Sequence, residues 1–184
     1  TAWAGPRRLG LLLEFVDRIA VLAALCDGDY EGAYATVQRT GTFAPYSHHA
    51  ADGLLDLVEA AIHTGHHDAA AAQVTEAKRL RLADISPRAD ALVAASEAMT
   101  APDADAGPLF ESALSRECLR DFPFEHNRIR LTYGMWLRRQ RHTTQARTVL
   151  TSAADGFAAL GAQPWEARAR GELRASGAAV VRAA

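Results

Sequence analysis

The residues with the widest chemical reach in this 184-residue chain are its clustered histidines. His48-His49 form one group and His63, His66-His67 a second, with Asp52 and Asp68 close by. A bound metal needs three or four ligands converging on one point. His63 and His67 have i, i+4 spacing, but Gly65 between them breaks the helix that would align them. They therefore read as turn histidines facing solvent, and neither a metal nor a cofactor is expected. Cys26 and Cys118 are too few and too far apart for a disulfide framework. They read as small buried hydrophobes in a reducing compartment. No Ser-His-Asp or Cys-His signature stands out, and the carboxylates are scattered on polar faces instead of paired. An enzyme is not expected.

A second set of candidates lies near one helix end. Arg138-Arg139-Gln140-Arg141-His142, with Arg128 and Arg130 upstream, could contact phosphate. The commoner role of such a run is to close a helix, because cations complement the negative C-terminal end of the dipole. Some of these arginines would then pair with Glu125 or with acidic groups on neighbouring hairpins. Trp136 and Trp165 could line a ligand groove or pack between helices, since tryptophan carries a large apolar surface. Trp136, Arg138, Arg139 and Trp165 are thus the candidate groove or partner surface. The net charge of −2 gives no overall footprint for nucleic acid, and the aromatic interleaving that single strands need is missing.

What positions these residues is a helix-turn-helix unit that recurs every 36 to 40 residues. Turns begin at Gly28, Gly65, Ala101 and Arg141, at intervals of 37, 36 and 40. Five residues on comes an alanine each time: Ala33, Ala70, Ala106 and Ala146. Nine on comes a larger apolar residue: Val37, Val74, Phe110 and Leu150. Twelve on come Thr40, Ala77, Ala113 and Ala153. A period in this range marks stacked helical repeats, so the expected fold is an all-α solenoid. Small residues at fixed turns let paired helices approach at the near end of the usual 8–10 Å separation.

Helices are expected at about 7–26, 30–39, 50–64, 67–83, 86–99, 106–119, 123–140 and 144–160, with a capping helix at 164–175. A loop is expected at 42–48 around Pro45. Ser86 should cap the helix that Pro87 opens, the pattern that leaves fewest orphan donors. The whole chain, 1–184, reads as one repeat domain, with pairs at about 7–41, 50–83, 86–119 and 123–161 and the cap at 164–176. Nothing is long and apolar enough to span a bilayer: Glu14, Asp17 and Arg18 interrupt the best stretch. The same charges argue against a signal peptide, so the chain reads as cytoplasmic and free of membrane. Thr1 in place of methionine reads as the start of an excised fragment.

The turns GDYEGA, GHHDAA and RHTTQA resemble the tetratricopeptide consensus, with Gly134 where that consensus prefers glycine in its first helix. Val21, Val58 and Ala94 hold that place in the other repeats. Residues 122–177 resemble the segment before the C-terminal helix-turn-helix of large, ATP-binding, maltose-regulator-like LuxR-type transcriptional regulators of actinobacteria. The match is carried by Phe124-Glu125, Arg128, Leu131, Tyr133-Gly134, Trp136-Leu137-Arg138-Arg139 and Ala146-Arg147. It continues through Phe157, Leu160-Gly161-Ala162, Pro164-Trp165, Glu172-Leu173 and Gly177. The resemblance implies a helical-repeat region between a nucleotide-binding module and a DNA-reading domain. No Gly-x-x-x-x-Gly-Lys-Ser/Thr loop is present, so ATP hydrolysis is not carried over. DNA contact is expected only through a domain outside this fragment. The expected role is a non-catalytic sensor that binds a protein partner, a second protomer or a small-molecule effector in its groove. The alternative is a purely structural oligomerisation scaffold.

Overall fold

The computed structural model describes residues 10–40 and 50–177. Among them it contains nine α-helices and no strand. The loop expected at 42–48, with Pro45, His48 and His49, lies outside the described residues, as does the side chain of Asp52. The helices fall into two compact units divided between Thr100 and Ala101.

The first unit holds α1 (Gly10–Asp27), α2 (Tyr30–Thr40), α3 (Ala50–His63), α4 (His67–Arg79) and α5 (Pro87–Thr100). Neighbours in sequence pack as pairs, and α3 also packs on α1, α2 and α5. The second unit holds α6 (Asp103–Leu114), α7 (Pro123–Arg139), α8 (Thr143–Ala159) and α9 (Gln163–Ala175). There α7 packs on α6 and α8, and α8 packs on α9. The fold is all-α, built from adjacent helix pairs.

The turns show why the register works. Gly28 and Gly65 adopt left-handed φ of 78° and 80°. The Gly28 N–H donates to the Leu25 carbonyl (3.3 Å) and the Asp29 N–H to the Ala24 carbonyl (2.9 Å). This double bond back into the helix satisfies carbonyls that a helix end otherwise orphans. It recurs with Gly65 and His66, which bond Ile62 and Ala61, and with Arg141 and His142, which bond Arg138 and Leu137. Arg141 holds this geometry at φ 63° despite its β-carbon. The third turn differs: Pro102, at φ −54°, opens α6 instead. Gly177 (φ 78°) falls 36 residues after Arg141, so α9 occupies a first-helix register.

The register alanines Ala33, Ala70, Ala77, Ala106, Ala113, Ala146 and Ala153 are all buried, with Val37, Val74, Phe110 and Leu150 beside them. Ser86 Oγ accepts from the Ala89 N–H (3.0 Å), capping α5 at Pro87. Two helices end earlier than the apolar spacing indicates. The helix expected to run to 83 stops at Arg79, because Arg81 turns left-handed (φ 54°) and Leu82–Ile85 closes into a 3₁₀ turn that buries Leu82. The helix expected at 106–119 runs Asp103–Leu114, and Glu117–Arg120 forms a second 3₁₀ turn anchored by buried Leu119. Cys118 therefore sits in this turn and not in a helix. No helix among the described residues is long and apolar enough to cross a membrane.

Candidate interaction surface

In the second unit, two glycines set how closely α7 and α8 cross. A β-carbon at Gly134 would lie 2.6 Å from Leu150, and one at Gly156 would lie 2.2 Å from Asn127 Oδ1. Only residues without side chains fit both places. The buried Asn127 carbonyl in turn accepts from Arg130 Nη1 (3.1 Å).

Beside this crossing stands an aromatic layer of Phe124, Phe157 and Trp165, with ring centroids 5.6–5.9 Å apart. Arg128 and Arg168 place their guanidinium carbons 4.8 and 5.3 Å from the Trp165 ring centre. This geometry lets the π-face offset the cost of enclosing charge. Trp165 is only 7% exposed. It therefore belongs to the packed interior and is withdrawn from the candidate surface; its size and its two arginine neighbours hold it between helices.

Trp136 sits in a second cluster, with Phe110 and Tyr133 stacked 5.1 Å apart. Its Nε1 donates to Asp103 Oδ1 of α6 (3.1 Å), and its ring lies over Gly107, where a β-carbon would meet it at 3.2 Å. The Tyr133 hydroxyl donates to Glu111 Oε1 (3.1 Å) and accepts from Gln145 Nε2 (3.0 Å), linking α6, α7 and α8. Burial and the neighbouring Glu111 carboxylate push its phenol up to about 12.

Arg138 turns the other way, donating from Nε and Nη2 to Glu172 Oε2 of α9 at 3.0 and 2.9 Å. Two positions along a helix are about 200° apart, so Trp136 and Arg138 face opposite sides of α7. Arg139 is exposed at the last turn. The four candidates do not converge: one is buried, two tie α7 to different neighbours and one faces solvent. Arg147 adds a further tie, donating to the Ser176 carbonyl at the end of α9 (3.0 and 2.8 Å).

His63 and His66 of the first unit are also structural. His63 stacks on Tyr30 (4.0 Å between centroids) and His66 on Tyr34 (4.3 Å), pinning α2 to the end of α3. The Thr64 hydroxyl donates to the Ala60 carbonyl (2.9 Å), so its oxygen accepts from His66 Nδ1 (2.8 Å). Among the described residues of the two clusters, His66 and His67 are exposed as expected of turn residues and His63 is half-buried. No group of three metal-binding side chains exists among the described residues. Tyr30 and Tyr34 at i, i+4, opposite His63 and His66, were the readable signal for this ladder.

Two further features escape the repeat pattern. Residues 54–61 of α3 are buried without interruption, so over two turns this helix leaves no open strip on which a ligand could lie. By contrast α1 exposes Leu12 (47%), Val16 (44%) and Ile19 (66%) on its outer side. Compared with known proteins, the chain matches no family model, no curated protein and no solved structure.

Proposed function

We propose that this chain is the sensor or protein-interaction region of a LuxR-type transcriptional regulator, without catalysis of its own and working in the cytoplasm. The observation that carries the reading is the resemblance over residues 122–177. In support, its residues serve one packed unit: Phe124, Arg128, Phe157 and Trp165 share one layer, Tyr133 and Trp136 another, and Gly134 marks the α7–α8 crossing. A partner protein, a second protomer or a small-molecule effector would act by binding one state of the regulator more tightly than another. Because the centre of α3 is closed, a groove ligand would have to meet the helices elsewhere, at half-exposed Trp136 or at Arg138 and Arg139. DNA would be read by a separate domain. Sequencing the gene beyond codon 184 tests this. A helix-turn-helix coding segment is expected, and a reading frame without one would end the proposal. The apolar outer side of α1 favours a second reading, a scaffold that only holds copies together.

A further inference from the structure

Helix α9 is held in two different ways along its length. Its first two turns are fixed by apolar packing: Trp165 lies in the aromatic layer and Ala169 is fully buried. Beyond Ala169, the only buried residue among the described residues 170–177 is Ser176, which is polar. Leu173 is half-buried, while Arg170, Arg174 and Ala175 are exposed. What holds this half is a pair of arginines from the other two helices of the crossing. Arg138 of α7 donates twice to the Glu172 carboxylate (3.0 and 2.9 Å), and Arg147 of α8 donates twice to the Ser176 carbonyl (3.0 and 2.8 Å).

Between the two halves stands Gly171. Unlike Gly134 and Gly156, it is not required by a close neighbour: a β-carbon there would meet only Arg174 Nη2, at an ordinary 3.7 Å. Glycine inside a helix weakens it relative to alanine, because its backbone has more freedom to lose. A glycine that packing does not demand, placed where apolar anchorage stops and polar ties begin, has the position of a hinge. The end that it would swing is shaped to be caught. Gly177 (φ 78°) closes the helix, and a β-carbon on it would lie 2.8 Å from Arg147 Nη2. The guanidinium therefore reaches the Ser176 carbonyl past a bare backbone. Ser176 Oγ donates to the Leu173 carbonyl (2.6 Å), which keeps the last turn wound.

We propose that residues 171–177 form a clasped arm. It is closed while Arg138 and Arg147 hold it, and it opens about Gly171 while Trp165 keeps the rest of α9 in place. Arginine suits a releasable hold, since its bonds are charge-assisted and directional. Here they stand at the rim, with Arg147 exposed and the Arg138 side chain 34% exposed, so water can take their place. The aromatic half has no such substitute for its contacts and stays shut. The arm sets the direction in which the backbone leaves α9 at Gly177. Its use rests on the regulator reading, in which a DNA-reading domain follows this helix: closed and open arms would present that domain differently.

Residue-resolved hydrogen exchange of the full chain, followed by NMR, tests the arm. In the native chain the amides of residues 173–177 should exchange through an opening that leaves 167–170 protected. Arg147→Ala and Arg138→Ala should each speed exchange at 173–177 by about tenfold, the effect of losing one charged tie, without moving 167–170. Gly171→Ala, which fits the available space, should slow the same amides and offset Arg147→Ala in the double variant. Exchange that quickens equally along all of α9, or that ignores both arginine variants, overturns the proposal. So does a Gly171→Ala variant whose arm exchanges as in the native chain. None of these results touches the regulator reading, which the gene sequence decides. A gene without a helix-turn-helix would in turn leave the measured motion of the arm as it stands.

Discussion

Helices α1 and α9 hold the same place in the repeat register, yet they dispose of charge in opposite ways. α9 buries Trp165 and Ala169, ties Glu172 to Arg138, and leaves Arg170 and Arg174 outside. α1 buries Val21 and Leu25, turns Arg18 in beside them and leaves Leu12, Val16 and Ile19 out. The register decides which face of a first helix packs against its own hairpin. The composition of the remaining face then differs, charged on α9 and apolar on α1.

The contrast is broken most directly by truncating one residue on each helix. Trp165→Ala should cost about 3–5 kcal/mol in denaturant unfolding, since it empties an aromatic layer and strips two arginines of their π-face. Ile19→Ala should stay within about 0.5 kcal/mol. Equal losses would mean that α1 packs its outer side as tightly as α9 packs its inner one.

A second pair of substitutions compares helix crossings. Gly134→Ala pushes a methyl to 2.6 Å from Leu150 and should cost about 1–3 kcal/mol. Gly53→Ala in α3 meets nothing within 4 Å and should stabilise by about 0.5–1 kcal/mol, because alanine is the better helix former. Urea unfolding of both variants distinguishes a close crossing from an open one.

The smallest effects are in pH, and both belong to α7. Tyr133 is raised to about 12 from its ordinary 10.0, so the fold favours the neutral phenol. That contribution is whole below pH 10 and is lost as pH rises toward 12. Tyr133→Phe should cost about 1 kcal/mol at neutral pH and flatten this alkaline loss. Burial, and then the charge of Arg130, hold His126 below its ordinary 6.5. Its contribution is present above pH 6.5 and fades as pH falls through the lowered value. His126→Gln should flatten that acid limb in thermal melts recorded across pH.

The hairpins were legible because their punctuation is chemical: Gly28 and Gly65 take the left-handed conformation that glycine permits, and Ser86-Pro87 opens a helix. Arg81 and Arg141 adopt that same conformation without any residue-type signal, so the early end of α4 could not be read. The outward strip of α1 was hidden for a different reason. An apolar helix does not say which side is in; the burial of Val21 and Leu25 and the Arg18–Asp56 pair, both set by the fold, orient it. Helical phase separates Trp136 from Arg138, and that much was available in advance. Arg168 follows Trp165 by three residues on α9, but burial of Trp165 also needs Phe124 and Arg128 of α7 and Phe157 of α8, a convergence that spacing along one segment does not encode.

Small side chains mark where paired helices touch, and adjacent alanines of α4 test this. Ala70 is buried at the register position, whereas Ala71 is exposed. Thermal denaturation of Ala70→Leu should show a loss of about 1–3 kcal/mol from overpacking, with Ala71→Leu unchanged. Equal stability of the two variants would contradict the register.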